Sequence, residues 1–355
     1  DGTVVQVDKE NTITQFVPKK SFNYADIDSY YKTVNIYKFS KKYLHESYVP
    51  FLEAYSKAMG NNEYYEQVLR VVTSLEKNEL KALCLSDHKW YEIDDVQDKD
   101  IAEVLFQDDA DKKLDLMAKR YGGYWRFSGL KDFCYLVNPY FPNESMLNEM
   151  QHNFYDLLSQ YPSGLNVQNL LAGKLFSIDE ENILVGNGAA ELIRALDKVL
   201  TGSVGIIYPS FNEYHESLPS HEIISHYPKN IHYSIDDLIS WSKKSDNLLL
   251  INPDNPSGNF ILPDEVLRLL DSMQQDNKTL VLDESFIDFC ALGKKASIFS
   301  QEILNKYPNL IVIKSISKSY GVPGIRLGVL GSANKEVIAK TRKELTIWNI
   351  NSFGE

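Results

Sequence analysis

Cysteine is scarce in this 355-residue chain: Cys84, Cys134 and Cys290 stand far apart, with no CxxC pair and no His-rich neighbour. That spacing excludes a disulfide framework and a zinc site of recognisable ligand spacing, and it reads as a reduced, cytoplasmic protein. Long apolar runs are missing too. No stretch approaches the roughly 20 residues of a membrane span, and the opening DGTVVQVDKE lacks the basic start and apolar core of a signal peptide. Positive charge is in deficit: 37 Lys and Arg against 49 Asp and Glu leave −12, and the basic residues form no stripe. Neither nucleic acid nor an anionic membrane is therefore an expected partner. Internal repeats and low-complexity tracts are absent as well.

What is present suits two domains, since a single core usually stops growing near 250 to 300 residues, roughly. From about Asn182 onward, short Val-, Ile- and Leu-rich runs alternate with helical patterns, the order expected of an α/β fold with a mostly parallel sheet covered by helices. The expected strands are Ile183–Val185, Val204–Tyr208, Leu248–Asn252, Leu280–Asp283, Leu310–Ile313 and Leu327–Leu330. Unusual residues gather in the loops that follow these strands, where open α/β sheets hold their ligands. The first part has another texture, with Tyr- and Glu-rich helical patterns such as HESYVPFLEAYSKAM and NEYYEQVLRVVTSLEK, and a dense acidic segment, WYEIDDVQDKDIAEVLF. A charged, then Gly- and aromatic-rich stretch follows Gln107, so the expected division is 1–107 and 108–355.

Five segments of the second part carry chemistry. In IVIKSISKSYGVPGIRLG, Ser315, Ser317, Lys318 and Arg326 follow a strand. A lysine that forms a Schiff base with a phosphate-bearing aldehyde needs hydroxyls and a guanidinium nearby for the anion. By itself the pattern also suits a surface Lys-Ser loop. In TLVLDESFIDF, Asp283 ends a buried strand, where a carboxylate needs a cationic partner. A protonated pyridine nitrogen is one such partner; a helix cap or an arginine is another. NPDNPSG forces a stiff turn that can present Asn255 to a ring oxygen or serve as a structural Asx turn. ILVGNGAAELIRALDKVL reads as strand, turn and helix, placing the amides of Ala189 and Ala190 at a helix N-terminus suited to phosphate. Phe211, in IIYPSFNEY, follows a strand and can stack on a ring or fill the core.

Taken together, NPDNPSG, VLDESFIDF and SISKSYGVPGIRLG resemble, in order and spacing, the class I/II (fold-type I) aminotransferases, most of all the branch of histidinol-phosphate aminotransferases and threonine-phosphate decarboxylases. The likeness runs from about Tyr121 to Glu355. It implies a pyridoxal 5'-phosphate enzyme of the fold-type I large domain, acting on a small-molecule amino donor and acceptor. Lys318 is then the Schiff-base lysine, Asp283 the partner of the pyridine nitrogen and Asn255 that of the ring oxygen. Ser315, Ser317, Arg326, Ala189 and Ala190 hold the phosphate, and Phe211 stacks. Tyr161, in SQYPSG, corresponds to a tyrosine given to the phosphate site of a neighbouring subunit, which implies a homodimer. Asn138, in LVNPYFP, falls where the family's N-terminal arm meets the substrate carboxylate. Two departures stand out. Phe286 replaces a tyrosine that many aminotransferases use on the ring oxygen, as in the phosphate-substrate decarboxylases, which leaves transamination and decarboxylation both open. The chain also stops at NSFGE, where the family continues into a small domain bearing the arginine for the substrate carboxylate.

In the first part, HKWYEIDDVQDKDIAEVLF, after VNIYKFS and the NEYYEQVL pattern, resembles the last portion of cytidylyltransferases for phosphocholine or aminoethylphosphonate. The resemblance makes Asp94, with Glu92, a Mg2+ ligand and CTP a substrate of the complete protein. Acids at alternate positions on one strand face suit magnesium, and a solvated acidic helix start is the alternative. The Gly-rich nucleotide loop of that family has no equivalent here, so the expectation is a segment from the middle of a longer fusion protein, with an incomplete nucleotidyltransferase unit ahead of the aminotransferase.

Overall fold

The computed structural model describes residues 3–62, 64–74, 80–85 and 88–355. They fall into two compact units, Asp1–Asp132 and Phe133–Glu355.

The first unit is built on a small antiparallel sheet in the order β2-β1-β3, from β1 (Val4–Val7), β2 (Ile13–Val17) and β3 (Tyr31–Lys32). The chain then runs through α1 (Lys41–Tyr43), a wider turn at Leu44–Tyr48, α2 (Val49–Met59) and α3 (Glu66–Thr73). Residue 63 and residues 75–77 of the helical pattern expected there lie outside the described residues. Val5, Ile13 and Phe16 pack with Val68, Leu69 and Val72 of α3. The division between units comes later than expected near Gln107. Two further helices, α4 (Val96–Leu105) and α5 (Ala110–Arg120), share a cluster in which Ile101, Val104 and Phe127 meet Leu116 and Met117. Arg120 reinforces it through an ion pair with Asp100 and a position 5.2 Å over the Phe127 ring.

The second unit opens with α6 (Glu144–His152), α7 (Phe154–Ser159) and α8 (Leu165–Phe176). A seven-stranded sheet follows, made of β4 (Ile183–Asn187), β5 (Val204–Ile207), β6 (Ile223–His226), β7 (Asn247–Ile251), β8 (Thr279–Asp283), β9 (Leu310–Ser315) and β10 (Leu327–Gly331). Its order is β4-β10-β9-β8-β7-β5-β6. β10 runs antiparallel to both neighbours and every other pairing is parallel. Each expected strand forms, while β6 was not anticipated: its Ile-Ile-Ser-His sequence is an edge strand, only its last residue buried.

Side chains alternate across the strands and so build two cores. Leu248, Leu250, Leu280, Leu282, Leu310 and Val312 face one cluster, together with α8, α11 (Ile235–Ser242), α12 (Pro263–Gln275) and α13 (Gln301–Lys306). Leu249, Ile251, Val281, Ile311 and Ile313 face the other, with α9 (Gly188–Val199), α10 (Asn212–Glu216) and α15 (Lys335–Glu344). This is the continuous apolar texture of strands covered on both faces. α12 starts where expected because Pro263 opens it and the Glu265 carboxylate accepts from the Leu262 N–H at 3.1 Å. Among the described residues no helix is long and apolar enough to cross a membrane.

Candidate active site

β8 ends at Asp283, paired with Ile251 on one side and Ile313 on the other, so the strand carries the carboxylate into the interior, where it is 4% exposed. A buried carboxylate must be hydrogen-bonded. One oxygen accepts from the Tyr214 hydroxyl at 2.8 Å and the other from the Ser285 N–H at 2.8 Å. Tyr214 comes from α10 and is fully buried; burial first, and then the charge on Asp283, push its phenol far above the usual range, so it stays a donor. No Lys, Arg or His among the described residues forms an ion pair with Asp283.

Lys318 stands one strand over, on α14 (Ile316–Ser319), a single turn that continues directly from β9. Its Nζ lies 4.1 Å from the centroid of the Phe286 ring and 5.7 Å from that of Phe211. Burial holds the amine below the ordinary lysine value, Asp283 pulls it back up, and Arg326 pushes it down. Lys318 thus sits between an anion and a cation in a partly desolvated place. Ser315 ends β9, and its N–H donates to the Ser285 hydroxyl at 3.0 Å, tying the two strand ends together.

The third element is the β4–α9 turn. Gly188 and Arg326 both have left-handed backbone, with φ of 73° and 65°. The Gly188 N–H donates to the Arg326 carbonyl at 2.9 Å, and the guanidinium lies over Gly188 so closely that a Cβ there would be 2.8 Å from one of its nitrogens. A Cβ at Gly328 would come within 2.5 Å of the Ala189 nitrogen. Two glycines therefore let β10 and its arginine press against the start of α9, where the amides of Ala189 and Ala190 have no partner inside the helix. On the remaining side, the Asn252–Ile261 loop is pinned by paired bonds between Asn252 and Ile261, at 2.9 Å each, and by Asp254, which accepts from Ser257. Asn255 rides on that loop.

Those features place an amine, a carboxylate with no ion pair among the described residues and an anion cradle together at one edge of the sheet. The family described as aminotransferase class I and II matches residues 157–354. The chain belongs to the class I and II aminotransferases. A CMP-5'-(3-aminopropyl)phosphonate synthase of Streptomyces rubellomurinus is 31% identical across 100% of this chain and 56% of its own length. An L-serine phosphate decarboxylase of Sulfurospirillum multivorans is 31% identical across 63% of this chain and 60% of its own. The chain thus spans little more than half the length of these curated relatives. Among solved structures, the histidinol-phosphate aminotransferase from Clostridium acetobutylicum superposes with a TM-score of 0.56 at 28% identity, over 63% of this chain and 67% of that one. This is an enzyme family of pyridoxal-phosphate proteins that includes phosphate- and phosphonate-substrate members.

The residues fit pyridoxal phosphate on their own chemistry. The cradle would be closed by any side chain at Gly188, and it offers helix-start amides and a guanidinium to an anion. Asp283 forms no ion pair among the described residues, and Lys318 is a partly buried amine of lowered pKa. The structure brings Lys318, Asp283, Ser315, Arg326, Ala189, Ala190 and Phe211 to this edge. Ser317 behaves differently from the expectation of a phosphate ligand, because its hydroxyl is engaged by Leu327, accepting from the N–H at 2.7 Å and donating to the carbonyl at 3.2 Å. Asn138 spends its carboxamide on the Ser319 carbonyl and the Tyr140 N–H, both at 2.9 Å. Tyr161 is 77% exposed and stacks on Trp348 at 4.4 Å.

In the first unit the expected strand around Glu92 and Asp94 does not form. Residues 91–95 are irregular because Asp95 caps α4, accepting from the Asp98 N–H at 2.9 Å. Glu92 pairs with Lys32 and accepts from Asn35 at 3.3 Å, while Asp94 is exposed. Among the described residues no group of three or more His, Cys, Asp or Glu is arranged to hold a metal ion. Two residues at the Lys318 edge escaped the sequence reading. Tyr214 had one available signal, its place three residues after Phe211, and Asp288 had none.

Proposed function

We propose that the second unit is a pyridoxal-phosphate-dependent aminotransferase for a small amine or amino acid carrying a phosphate or phosphonate. The observation that carries this reading is the pairing of Lys318, an amine lowered by burial, with Asp283, a buried carboxylate that two hydrogen bonds hold and that forms no ion pair among the described residues. Lys318 would be the point of covalent attachment, Asp283 would partner the ring nitrogen, and Asn255 the ring oxygen. Ser315, Arg326, Ala189 and Ala190 would surround the phosphate and Phe211 would lie against the ring, while the Ser317 hydroxyl stays engaged by Leu327. When bound, the cofactor supplies a protonated ring that accepts the electron pair left at the substrate α-carbon. Asp283 keeps that proton in place, and Tyr214 and Ser285 fix the carboxylate so that it cannot turn away. Lys318 Nζ, once unprotonated, would take the α-proton and return it. Tyr161 reaches the phosphate of a second copy, which makes the working form a homodimer.

The first unit is read as the closing portion of a cytidylyltransferase that uses CTP. Support comes from identity along the whole chain with a relative named for a CMP-phosphonate product. A second reading of the other unit, decarboxylation of an amino-acid phosphate, has its own support. Phe286, which has no hydroxyl for a ring oxygen, lies against Lys318, and the likeness to a serine phosphate decarboxylase is of equal identity.

The test is absorbance near ~420 nm on addition of pyridoxal phosphate, lost on borohydride treatment, followed by single-turnover exposure to glutamate, alanine and aminoethylphosphonate. Conversion to the pyridoxamine form supports transamination. Carbon dioxide release from serine or threonine phosphate without that conversion supports the second reading, and no borohydride-sensitive band at all defeats both.

A further inference from the structure

α14 is one turn of four residues, too short to hold its own geometry. What fixes Lys318 must therefore come from outside the turn, and two elements supply it. The first is the arm at Asn138–Phe141. The Asn138 N–H donates to the Lys318 carbonyl at 2.9 Å, and its side-chain amide donates to the Ser319 carbonyl at 2.9 Å. The arm touches the turn backbone to backbone. Gly321 has φ of 61°, and a Cβ there would lie 1.9 Å from the Phe141 carbonyl oxygen and 2.5 Å from that of Asn138. Phe141 also meets Tyr320 edge-on at 5.3 Å.

The second is Asp288, in the short turn Ile287–Phe289 beyond Asp283 and Phe286. One of its oxygens accepts from Lys314 Nζ at 2.7 Å and the other from the Ser319 hydroxyl at 2.5 Å. The two anchors straddle Lys318 along the chain. Lys314, on β9, has a side chain only 8% exposed, so this contact is firmly held. Asp288 thus joins the segment that carries Asp283 and Phe286 to the turn that carries the amine. Among the described residues, neither Asn138 nor Asp288 hydrogen-bonds to Lys318 Nζ itself.

We propose that Asn138 and Asp288 are positioning residues that together clamp the α14 turn and so set where Lys318 Nζ stands relative to Asp283. The proposal rests on the cofactor reading above, and it gives Asn138 a role through Lys318 where the sequence pointed to a substrate carboxylate. Its chemistry is that of orientation: a turn free to rock would let the amine swing toward water, slowing its approach to a carbonyl and hydrating it.

The full chain is stripped of cofactor and mixed with pyridoxal phosphate across a pH series. The adduct is trapped with borohydride at intervals and mapped to its peptide, which reads capture rate and pH midpoint without any turnover. Asn138→Ala and Ser319→Ala each slow capture at Lys318 by about tenfold and raise its midpoint toward that of an ordinary lysine. Ser319→Ala leaves the Lys314–Asp288 pair intact, so its unfolding transition stays at the wild-type position. Asp288→Asn gives the same slowing, partly restored in Asp288→Glu. Capture rates and midpoints in Asn138→Ala and Ser319→Ala that equal wild type overturn the clamp while leaving the cofactor reading standing. Failure of the wild-type chain to form any adduct at Lys318 overturns that reading, and the clamp with it.

Discussion

In the second unit Asp283 closes a strand that has a strand on either side, and its two oxygens are taken by a buried phenol and a backbone amide. In the first unit Asp94 lies on an irregular stretch leading into a helix, open to water, and its neighbour Glu92 is paired with Lys32. Both acids draw the eye in the sequence for the same reason, a carboxylate at the end of an apolar or aromatic run. Their difference lies in what surrounds the backbone. A central strand cannot shift without breaking its ladders, so it can hold an anion in a place that water would otherwise claim. A helix-capping loop leaves its acids to solvent and to mobile lysines, where an ion pair has small worth.

The sharpest break of this comparison is Lys318→Ala. It abolishes borohydride-sensitive absorbance altogether and leaves the far-ultraviolet circular dichroism unchanged, because the amine supplies a bond and little packing. Next in size is Asp283→Asn. Cofactor uptake survives while single-turnover conversion falls by several powers of ten, since a neutral amide cannot keep a ring nitrogen protonated.

A third test uses the neighbouring acid. Glu284 is fully buried, accepting from the Ile298 N–H at 2.9 Å and from the Ser297 hydroxyl, and burial pushes it up to about 7. Its folded value thus exceeds its unfolded one, so between the two the native state holds a proton that the unfolded chain has lost. Stability from this group is present at low pH and lost as pH rises to about 7, by about 3 kcal/mol in total. Glu284→Gln removes that loss, so urea unfolding shows the variant gaining on wild type by roughly this amount between about pH 4.5 and 8.

Tyr214→Phe takes one donor from Asp283 and leaves a buried charge short of a bond, costing about 2 kcal/mol in the same assay. Glu92→Gln in the first unit is expected to cost no more than about 1 kcal/mol, because its pair with Lys32 is partly solvated. A larger loss there would mean that the first unit, too, holds an acid under constraint.

Much of the second unit was legible because its strands are fully apolar runs bounded by helix starts. β7, β8 and β9 needed only their Leu, Ile and Val content to be drawn. β6 escaped because an edge strand needs no such content. At the site, residue types and spacing pointed to Lys318, Asp283 and Arg326, whereas the direction of each side chain is a tertiary matter. Nothing local says that the Ser317 hydroxyl turns to Leu327, that Asn138 reaches Ser319, or that a tyrosine on α10 finds Asp283. In the first unit the acidic run carried two readings, and Asp95 as a cap decided for the helix start.

The reversed direction of β10 sets a limit on how the site can vary. A strand parallel to β9 would have to be reached by a crossover of a dozen or more residues, roughly, with its own helix. Being antiparallel, β10 begins at the edge where β9 ends, and the chain from Lys318 to Arg326 stays on that edge throughout. Amine and guanidinium are thus tethered by a short contour length. Insertions elsewhere around the sheet edge can be absorbed as longer loops, whereas an insertion in this tether slackens the one covalent ruler between them. The stretch should accordingly be the least tolerant of length change in the second unit, however freely its individual side chains are exchanged.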